Sequence, residues 1–282
     1  MFWRNELKIN KFSLNYDKPI DFLRPQWQTS SERQSIVFLF YRWIFASLYV
    51  TTFTYAIISH VLYKGPFIYF PIYLTNWGNS LNAIYAVCTC AVVTCSFLSN
   101  KYYERMKHET QMPLIFKVIW FLQSICPVIA INITLLYWGF VHNKGDNEFP
   151  VDTLNILNHA TNSAFMIIEI LIIASPVRIL HFIYPLATLV SFAVFTIIFY
   201  FMDWVNVRGQ PYIYKHLDWN RPIWTGSMTT GVFVFGCFLH VCMFALYRLK
   251  ISLIKDVSHT SKETNNLLGD KETSSITRNS NV

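Results

Sequence analysis

Two residues in otherwise apolar stretches, Thr75 and His159, could act as a nucleophile and its base. A threonine hydroxyl attacks a carbonyl only after a base within hydrogen-bond reach takes its proton, and histidine suits that role near pH 7. Asparagine amides beside such a pair could donate hydrogen bonds to an oxyanion. The same residue types also join helices inside membrane bundles, where each interhelical hydrogen bond contributes about 0.6–2 kcal/mol. These residues could therefore have either a catalytic or a structural role.

Helical periodicity gathers the polar residues of the segment 153–176 on one side. Successive residues of a helix turn by about 100°, and five polar residues of this segment fall within an arc of roughly 100°. They are Asn155, Asn158, His159, Asn162 and Glu169. A polar group without a partner costs several kcal/mol in hydrocarbon, so this stripe must face the protein interior.

A second polar stripe contains Thr75, because Thr75, Asn79 and Asn82 are spaced as i, i+4 and i+7. We expect it to meet His159 at the same depth and to form a polar chamber near the outer side of the membrane.

Glu169 needs a different partner, since it lies ten residues after His159, roughly 15 Å along a helix. Arg42 is predicted to lie at the depth of Glu169, and a charge inside a membrane costs a few kcal/mol or more unless it is paired. We therefore expect a structural ion pair between Arg42 and Glu169.

The composition indicates a membrane protein. Hydrophobic residues make up 53% of the 282 and charged residues only 14%, whereas a soluble domain has about a quarter charged. The net charge of +7 comes from basic residues that lie between apolar stretches, which argues against a nucleic-acid partner. The six cysteines form no CxxC pair and lie in apolar stretches. The sequence thus predicts no metal site and no cofactor.

Six apolar segments each reach the roughly 20 residues that a membrane-spanning helix needs. They are residues 36–60, 73–98, 114–141, 154–175, 178–202 and 223–247. Residues 1–35 form a polar arm, and residues 248–282 form a polar tail that is predicted to be largely disordered. The expected fold is an all-α bundle of six transmembrane helices, spanning 36–247.

The distribution of positive charge predicts the orientation of this bundle. Six spans place both termini on one side, and that side has 16 of the 23 lysines and arginines, against five on the other. Cytosolic segments are enriched in these residues, so both termini are predicted to be cytosolic. The chain shows neither an internal repeat nor rings of charge, which disfavours a carrier or a channel.

Four motifs resemble the rolling stone family of multi-pass membrane proteins. They are LTNWG at 74–78, LNHATNSAFMIIEI at 157–170, PVRILHFIYPL at 176–186 and IYKHLDW at 213–219. The resemblance covers most of residues 30–250 and implies a role in membrane or cell–cell fusion of myoblasts during myogenesis. The expected location is the plasma membrane, ahead of the endoplasmic reticulum or endosomes.

The chain is similar, more distantly, to the androgen-induced and androgen-dependent membrane hydrolases, which cleave fatty-acid esters of hydroxy fatty acids. Their intramembrane threonine corresponds to Thr75, and their histidine, ten residues before a glutamate, corresponds to His159. The flanking residues depart from that pattern, with Asn76-Trp77 after the threonine and asparagines beside the histidine. This resemblance implies an alternative function, hydrolysis of a lipid ester by Thr75 with His159 as base. The expected partners are membrane lipids and, in the alternative, a lipid-ester substrate.

Overall fold

The structure is a computed structural model that describes residues 6–29, 33–141 and 153–279, with side chains of the last helix described as far as Ile254. Its α-helices are α1 (Ile36–Ser59), α2 (Leu74–Leu98), α3 (Asn100–His108), α4 (Leu114–Leu136), α5 (Thr153–Ile156), α6 (Asn162–Ile172), α7 (Ile183–Phe201) and α8 (Pro222–Asn279). Single π-helical turns cover His60–Lys64, Tyr137–Val141 and Leu157–Thr161. Short 3₁₀ helices cover Ile9–Phe12, Pro19–Phe22, Phe67–Ile72, Ile179–Phe182 and Lys215–Leu217. No β-strand occurs in the described ranges, so the all-α prediction is confirmed.

Five helices are long and apolar enough to cross a membrane. They are Ile36–Lys64, Leu74–Leu98, Leu114–Phe140, Ile179–Phe201 and Pro222–Ile254. They make the chain a multi-pass membrane protein. The predicted fourth span is not among these five; it is a helix made of α5, the π-helical turn Leu157–Thr161 and α6, and its polar stripe makes it less apolar than the five. We call this divided helix, residues 153–172, the fourth segment.

Local sequence signals set several of the helix ends. Ser35 caps α1, since its Oγ accepts a hydrogen bond from the backbone N–H of Phe38 at 3.3 Å. Ser99 caps α3 in the same way through Tyr102. Gly65 ends the first apolar helix with a φ of 140°, and a Cβ there would lie 2.7 Å from Val207 Cγ1. Only glycine adopts a positive φ readily and also lacks the Cβ that would meet Val207.

Helix α4 lies at the centre of the bundle and contacts α2, α6, α7 and α8. Helix α1 packs mainly against α2. Most of α4 is buried. Some of its residues pack in a core cluster with α1 and α2, and others pack in a cluster with α7 and α8. The candidate site residues therefore lie on either side of α4.

The N-terminal arm packs into the bundle beside the turn that follows α6. The backbone N–H of Gln26 donates to the Ile172 carbonyl at 2.7 Å, and the N–H of Ala174 donates to the Arg24 carbonyl at 3.3 Å. Arg178 donates to the main-chain carbonyls of Ser13 at 2.7 Å and of Asn15 at 2.9 Å. These contacts involve main-chain atoms and so leave no periodic pattern in the arm's sequence.

Parts of the predicted arm and tail, residues 1–5, 30–32 and 280–282, lie outside the described residues. Helix α8 extends into the segment predicted as a tail, as far as Asn279. Lys250 of this helix is buried, and its Nζ donates to the carbonyls of Ile170 at 2.8 Å and Ile173 at 2.6 Å. A lysine in that position satisfies carbonyls left open at the end of α6.

Candidate functional site

Two buried asparagine pairs join α2 to the fourth segment. Asn79 Nδ2 donates to Asn158 Oδ1 at 2.9 Å, and Asn82 Nδ2 donates to Asn162 Oδ1 at 2.8 Å. Residue number rises in the same direction in both partners, so the two helices run parallel. The two polar stripes thus face each other. Each amide oxygen that accepts one of these bonds lies in hydrocarbon surroundings and finds its donor within the bundle.

The same face of α2 continues to a buried carboxylate. Arg42 Nη1 lies 2.6 Å from Glu169 Oε1, and the two side chains are 2% and 1% exposed. Tyr85 OH donates to the same oxygen at 2.6 Å, and Tyr41 OH donates to Oε2 at 2.5 Å. The guanidinium also lies over the Phe38 ring, 4.7 Å from its centroid. Glu169 therefore accepts from one cation and two phenols.

Sequence reasoning brought Arg42 and Glu169 together but missed the two tyrosines. Tyr85 follows Asn82 by three residues and so continues the stripe of Asn79 and Asn82, which was an available signal. Tyr41 precedes Arg42 directly and carries no such signal, because adjacent residues point about 100° apart on a helix.

His159 lies in the π-helical turn of the fourth segment and is 5% exposed. Its ring stacks on Tyr137, with centroids 3.6 Å apart and planes at 4°. Its Nδ1 has no hydrogen-bond partner among the described residues. The His159 carbonyl accepts a hydrogen bond from Trp138 Nε1 at 2.8 Å. Single π-helical turns of this kind are common at functional sites. Asn155 lies one turn earlier, in α5, and is only partly buried.

Thr75 lies in the first turn of α2, where a tyrosine from a distant loop caps the helix. The backbone N–H of Leu74 donates to Tyr214 OH at 3.1 Å, and the Thr75 side chain also interacts with that hydroxyl. Burial raises the pKa of Tyr214 above its ordinary value, because the phenolate would lose its hydration. The phenol therefore keeps its proton.

Thr75 also lines a cavity of about 120 Å³ between α2, α4, α7 and α8. The lining residues are Leu74, Thr75, Ile133, Leu136, Tyr137, Phe140, Leu189, Phe192, Ala193, Tyr214, His216, Leu217, Met228, Thr229, Val232 and Phe233. No Lys, Arg, Asp or Glu is among these described lining residues. The walls are mainly aliphatic and aromatic, with hydroxyls and one imidazole as the polar groups.

The structure places Thr75 and His159 on two sides of Tyr137. Tyr137 lines the cavity with Thr75 and stacks on His159, whereas His159 itself does not line the cavity. In the described part of the chain, no hydrogen bond joins Thr75 to His159. The imidazole that does line the cavity is His216, whose Nε2 donates to the Phe140 carbonyl at 3.2 Å. Tyr214 and His216 were missed as site residues, although both lie in the motif at 213–219.

The described residues contain no group of three or more His, Cys, Asp or Glu side chains that could hold a metal ion. The chemistry that this site could perform therefore depends on hydroxyls, amides and imidazoles. Apolar walls would exclude water from it.

Comparisons with known proteins show the family of this chain. The family model described as Protein rolling stone matches residues 2–263. The chain is 30% identical over 252 residues to Protein rolling stone of Drosophila melanogaster, which covers 88% of this chain and 90% of that protein. No solved structure matches the chain. The match includes the asparagine pairs, the Glu169 cluster and the cavity, and the chain belongs to the rolling stone family.

Proposed function

We propose that this chain is a six-span protein of the plasma membrane, with both termini in the cytosol, that acts in membrane or cell–cell fusion during muscle formation. Membership of the rolling stone family carries this proposal. Endoplasmic reticulum and endosomal membranes are the alternative locations.

The parallel course of α2 and the fourth segment supports six spans. The fourth segment has 20 helical residues, which at 1.5 Å each is about 30 Å, the thickness of the hydrocarbon core. Helices of alternating direction place the second and fourth crossings parallel, as the pairs Asn79–Asn158 and Asn82–Asn162 require. The excess of Lys and Arg on the side of the termini supports a cytosolic location for both.

Accessibility of inserted tags tests this topology. A tag after Met1 and a tag at Arg208 in the loop between α7 and α8 would be stained in intact and in permeabilised cells. We expect the Arg208 tag to be stained without permeabilisation and the N-terminal tag only after it. Staining of both tags on the same side would contradict six spans.

The shape of the bundle favours action on the bilayer over action through an ectodomain. The described loops between long helices are short, the longest being the one between Phe201 and Pro222. A protein of this shape would organise lipids or partner proteins within the membrane during fusion.

A content-mixing assay tests the fusion role. Two populations of myoblasts that lack the protein would carry halves of a split reporter, and the full chain would be restored in one or both. We expect reporter signal to fall on removal and to return with the wild-type chain, while lipid mixing is scored in parallel. Unchanged content mixing in cells shown to lack the protein at the surface would contradict the proposal.

A second candidate function is hydrolysis of a lipid ester, with Thr75 as nucleophile and His159 as base. The observation that favours it is the position of Thr75 on an apolar cavity, beside the Tyr214 hydroxyl. A direct proton transfer needs the two groups within about 2.6–3.2 Å or one bridging water. No hydrogen bond joins the two side chains among the described residues, so catalysis would require a rearrangement or a bridging water.

Active-site labelling tests this candidate. The purified chain would be treated with a fluorophosphonate probe and with fatty-acid esters, and compared with Thr75→Ala, His159→Ala and His216→Ala. Loss of labelling and turnover in the first two variants would support the Thr75/His159 mechanism. If labelling and turnover are retained in His159→Ala and lost in His216→Ala, the base is His216. Labelling that survives Thr75→Ala would contradict the threonine mechanism.

A further inference from the structure

We propose that the cavity between α2, α4, α7 and α8 holds the hydrocarbon chain of an uncharged single-chain lipid, whose polar end meets Thr75, Tyr214 and His216. This inference rests on the placement of these helices in a membrane. It depends on neither fusion nor hydrolysis, because binding requires no turnover.

The walls of the cavity favour hydrocarbon over any polar solute. Leu189 and Phe192 come from α7, Val232 and Phe233 from α8, and Ile133 from α4. Apolar surface of this kind gains roughly 25 cal/mol for each Å² removed from water. A molecule already dissolved in the surrounding bilayer could enter without crossing an aqueous phase.

Most of the polar groups lie at one end of the cavity, and Thr229 lies two turns into α8. Thr75 is the second residue of α2, and Tyr214 and His216 belong to the loop before α8. Leu189 lies twelve residues before the end of α7 at Phe201, which is roughly 18 Å along the helix. The cavity is therefore polar near the helix ends and apolar deeper in. A lipid of the outer leaflet, in the proposed topology, has its polar end and its hydrocarbon chain in the same order.

The hydrogen-bonding pattern at the polar end fits an uncharged acceptor. Tyr214 OH accepts from the backbone of Leu74 and interacts with the Thr75 side chain, so two hydroxyls lie together where an uncharged oxygen of a ligand could bond to them. No cationic or acidic side chain lines the cavity in the described ranges. A carboxylate or phosphate would therefore meet His216 as the one described lining group that can carry a positive charge, and desolvation of the anion would carry a free-energy cost. A hydroxyl or ester oxygen avoids that cost.

The depth and size of the cavity limit the ligand to one chain. Three residues beyond Phe233, α7 and α8 are in close contact, because a Cβ at Gly236 would lie 2.6 Å from Leu189 Cδ1. The volume of about 120 Å³ admits part of one flexible chain. A monoacylglycerol or a long-chain alcohol has the required single chain and uncharged end.

Photocrosslinking tests the proposal on the full chain in lipid nanodiscs. The probe is a monoacylglycerol with a diazirine in its chain, and the same chain as a free fatty acid and a photoactivatable sterol serve for comparison. Ala193→Phe fills the cavity, whereas Ala187→Phe places the same ring on the exposed face of the same helix. We expect the monoacylglycerol to label lining peptides, with labelling reduced at least five-fold in Ala193→Phe and unchanged in Ala187→Phe.

Three outcomes would overturn it. Equal labelling of the two phenylalanine variants would assign the signal to lipid around the bundle. Labelling by the free fatty acid as strong as by the monoacylglycerol would contradict an uncharged end, and labelling by the sterol alone would contradict a single flexible chain. Thr75→Val keeps the shape of the cavity and removes one hydroxyl at the polar end, so labelling by the monoacylglycerol should fall, and unchanged labelling would contradict the contact with Thr75. A Leu189→Phe variant, which narrows the cavity one turn deeper on the same helix, gives a second reading if Ala193→Phe does not fold.

Discussion

Tyr85 of α2 and Arg42 of α1 both contact Glu169 Oε1, each at 2.6 Å. One carboxylate oxygen thereby joins three helices, because Glu169 belongs to α6. Each partner is needed, since a buried carboxylate left without donors has no access to water.

Loss of one charge from this cluster should destabilise the protein strongly. Glu169→Gln leaves Arg42 buried with no counter-ion, and breaking such a pair typically costs about 3–5 kcal/mol. Arg42→Met should be similarly harmful because it leaves the carboxylate unpaired. The double variant should recover much of the loss, since both charges are gone. Thermal unfolding in detergent measures this, with the exposed Lys101→Met as control; a double variant as unstable as the sum of the singles would contradict the pairing.

Tyr85→Phe should cost less, because it removes one donor and leaves the ion pair intact. A hydrogen bond to a charged group contributes about 1.5–3 kcal/mol. Tyr55→Phe is the matched control, since Tyr55 is 44% exposed on α1. Equal unfolding temperatures for the two variants would show that the phenol of Tyr85 contributes nothing to stability.

The asparagine pairs should show energetic coupling within each pair and little between distant sites. A double-mutant cycle of Asn82→Ala and Asn162→Ala is expected to give a coupling of about 0.6–2 kcal/mol. A cycle of Asn82→Ala with the exposed Ser227→Ala should give additive effects. Additivity in the first cycle would contradict the hydrogen bond between the two amides.

Gly236 and Gly231 allow a direct comparison on one helix. Alanine at 236 would bring its Cβ within 2.6 Å of Leu189 Cδ1 and 3.4 Å of Asn132 Nδ2, whereas nothing lies within 4 Å of a Cβ at 231. Gly236→Ala should destabilise by about 1–3 kcal/mol through overpacking. Gly231→Ala should be neutral or stabilise by up to about 1 kcal/mol through helix propensity. If Gly236→Ala proves harmless, the close contact of α7 and α8 is wrong; Leu189→Val in the same background should restore any loss.

Asn132 should tolerate replacement by leucine. It is 0% exposed, and neither of its amide atoms has a hydrogen-bond partner among the described residues. A buried polar group without partners costs about 1–3 kcal/mol, so Asn132→Leu should raise the unfolding temperature. Asn132→Asp, which adds a charge at the same size, should lower it. A clear loss of stability in Asn132→Leu would reveal a bound water or ligand at this amide.

Helical spacing in the sequence predicted which asparagines lie on the facing sides of two helices. It did not predict contacts that follow no helical period. Asn79 and Asn82 were placed opposite the fourth segment because residues three or four apart share a helix face. Arg42 and Glu169 were matched by depth, since a buried charge needs a partner. Tyr41 and Tyr85 escaped notice because an aromatic ring in an apolar segment resembles core packing.

Contacts made by loops are the second group that the sequence does not predict. Tyr214 caps α2 from 140 residues away, and no periodicity in the sequence records such a contact. The N-terminal arm likewise has no helical period, although it buries Ile20, Phe22 and Leu23 in the core beside its main-chain contacts. The sequence predicted a span at residues 154–175, and apolar composition does not reveal the π-helical turn at Leu157–Thr161 within it.

The contacts of Arg178 have an evolutionary consequence. Its guanidinium binds the main-chain oxygens of Ser13 and Asn15, atoms that every residue type possesses. Substitutions in the arm can therefore accumulate in relatives without loosening this attachment, provided that the chain keeps its path. Arg178 itself has no such freedom, since no other side chain offers the same planar set of donors.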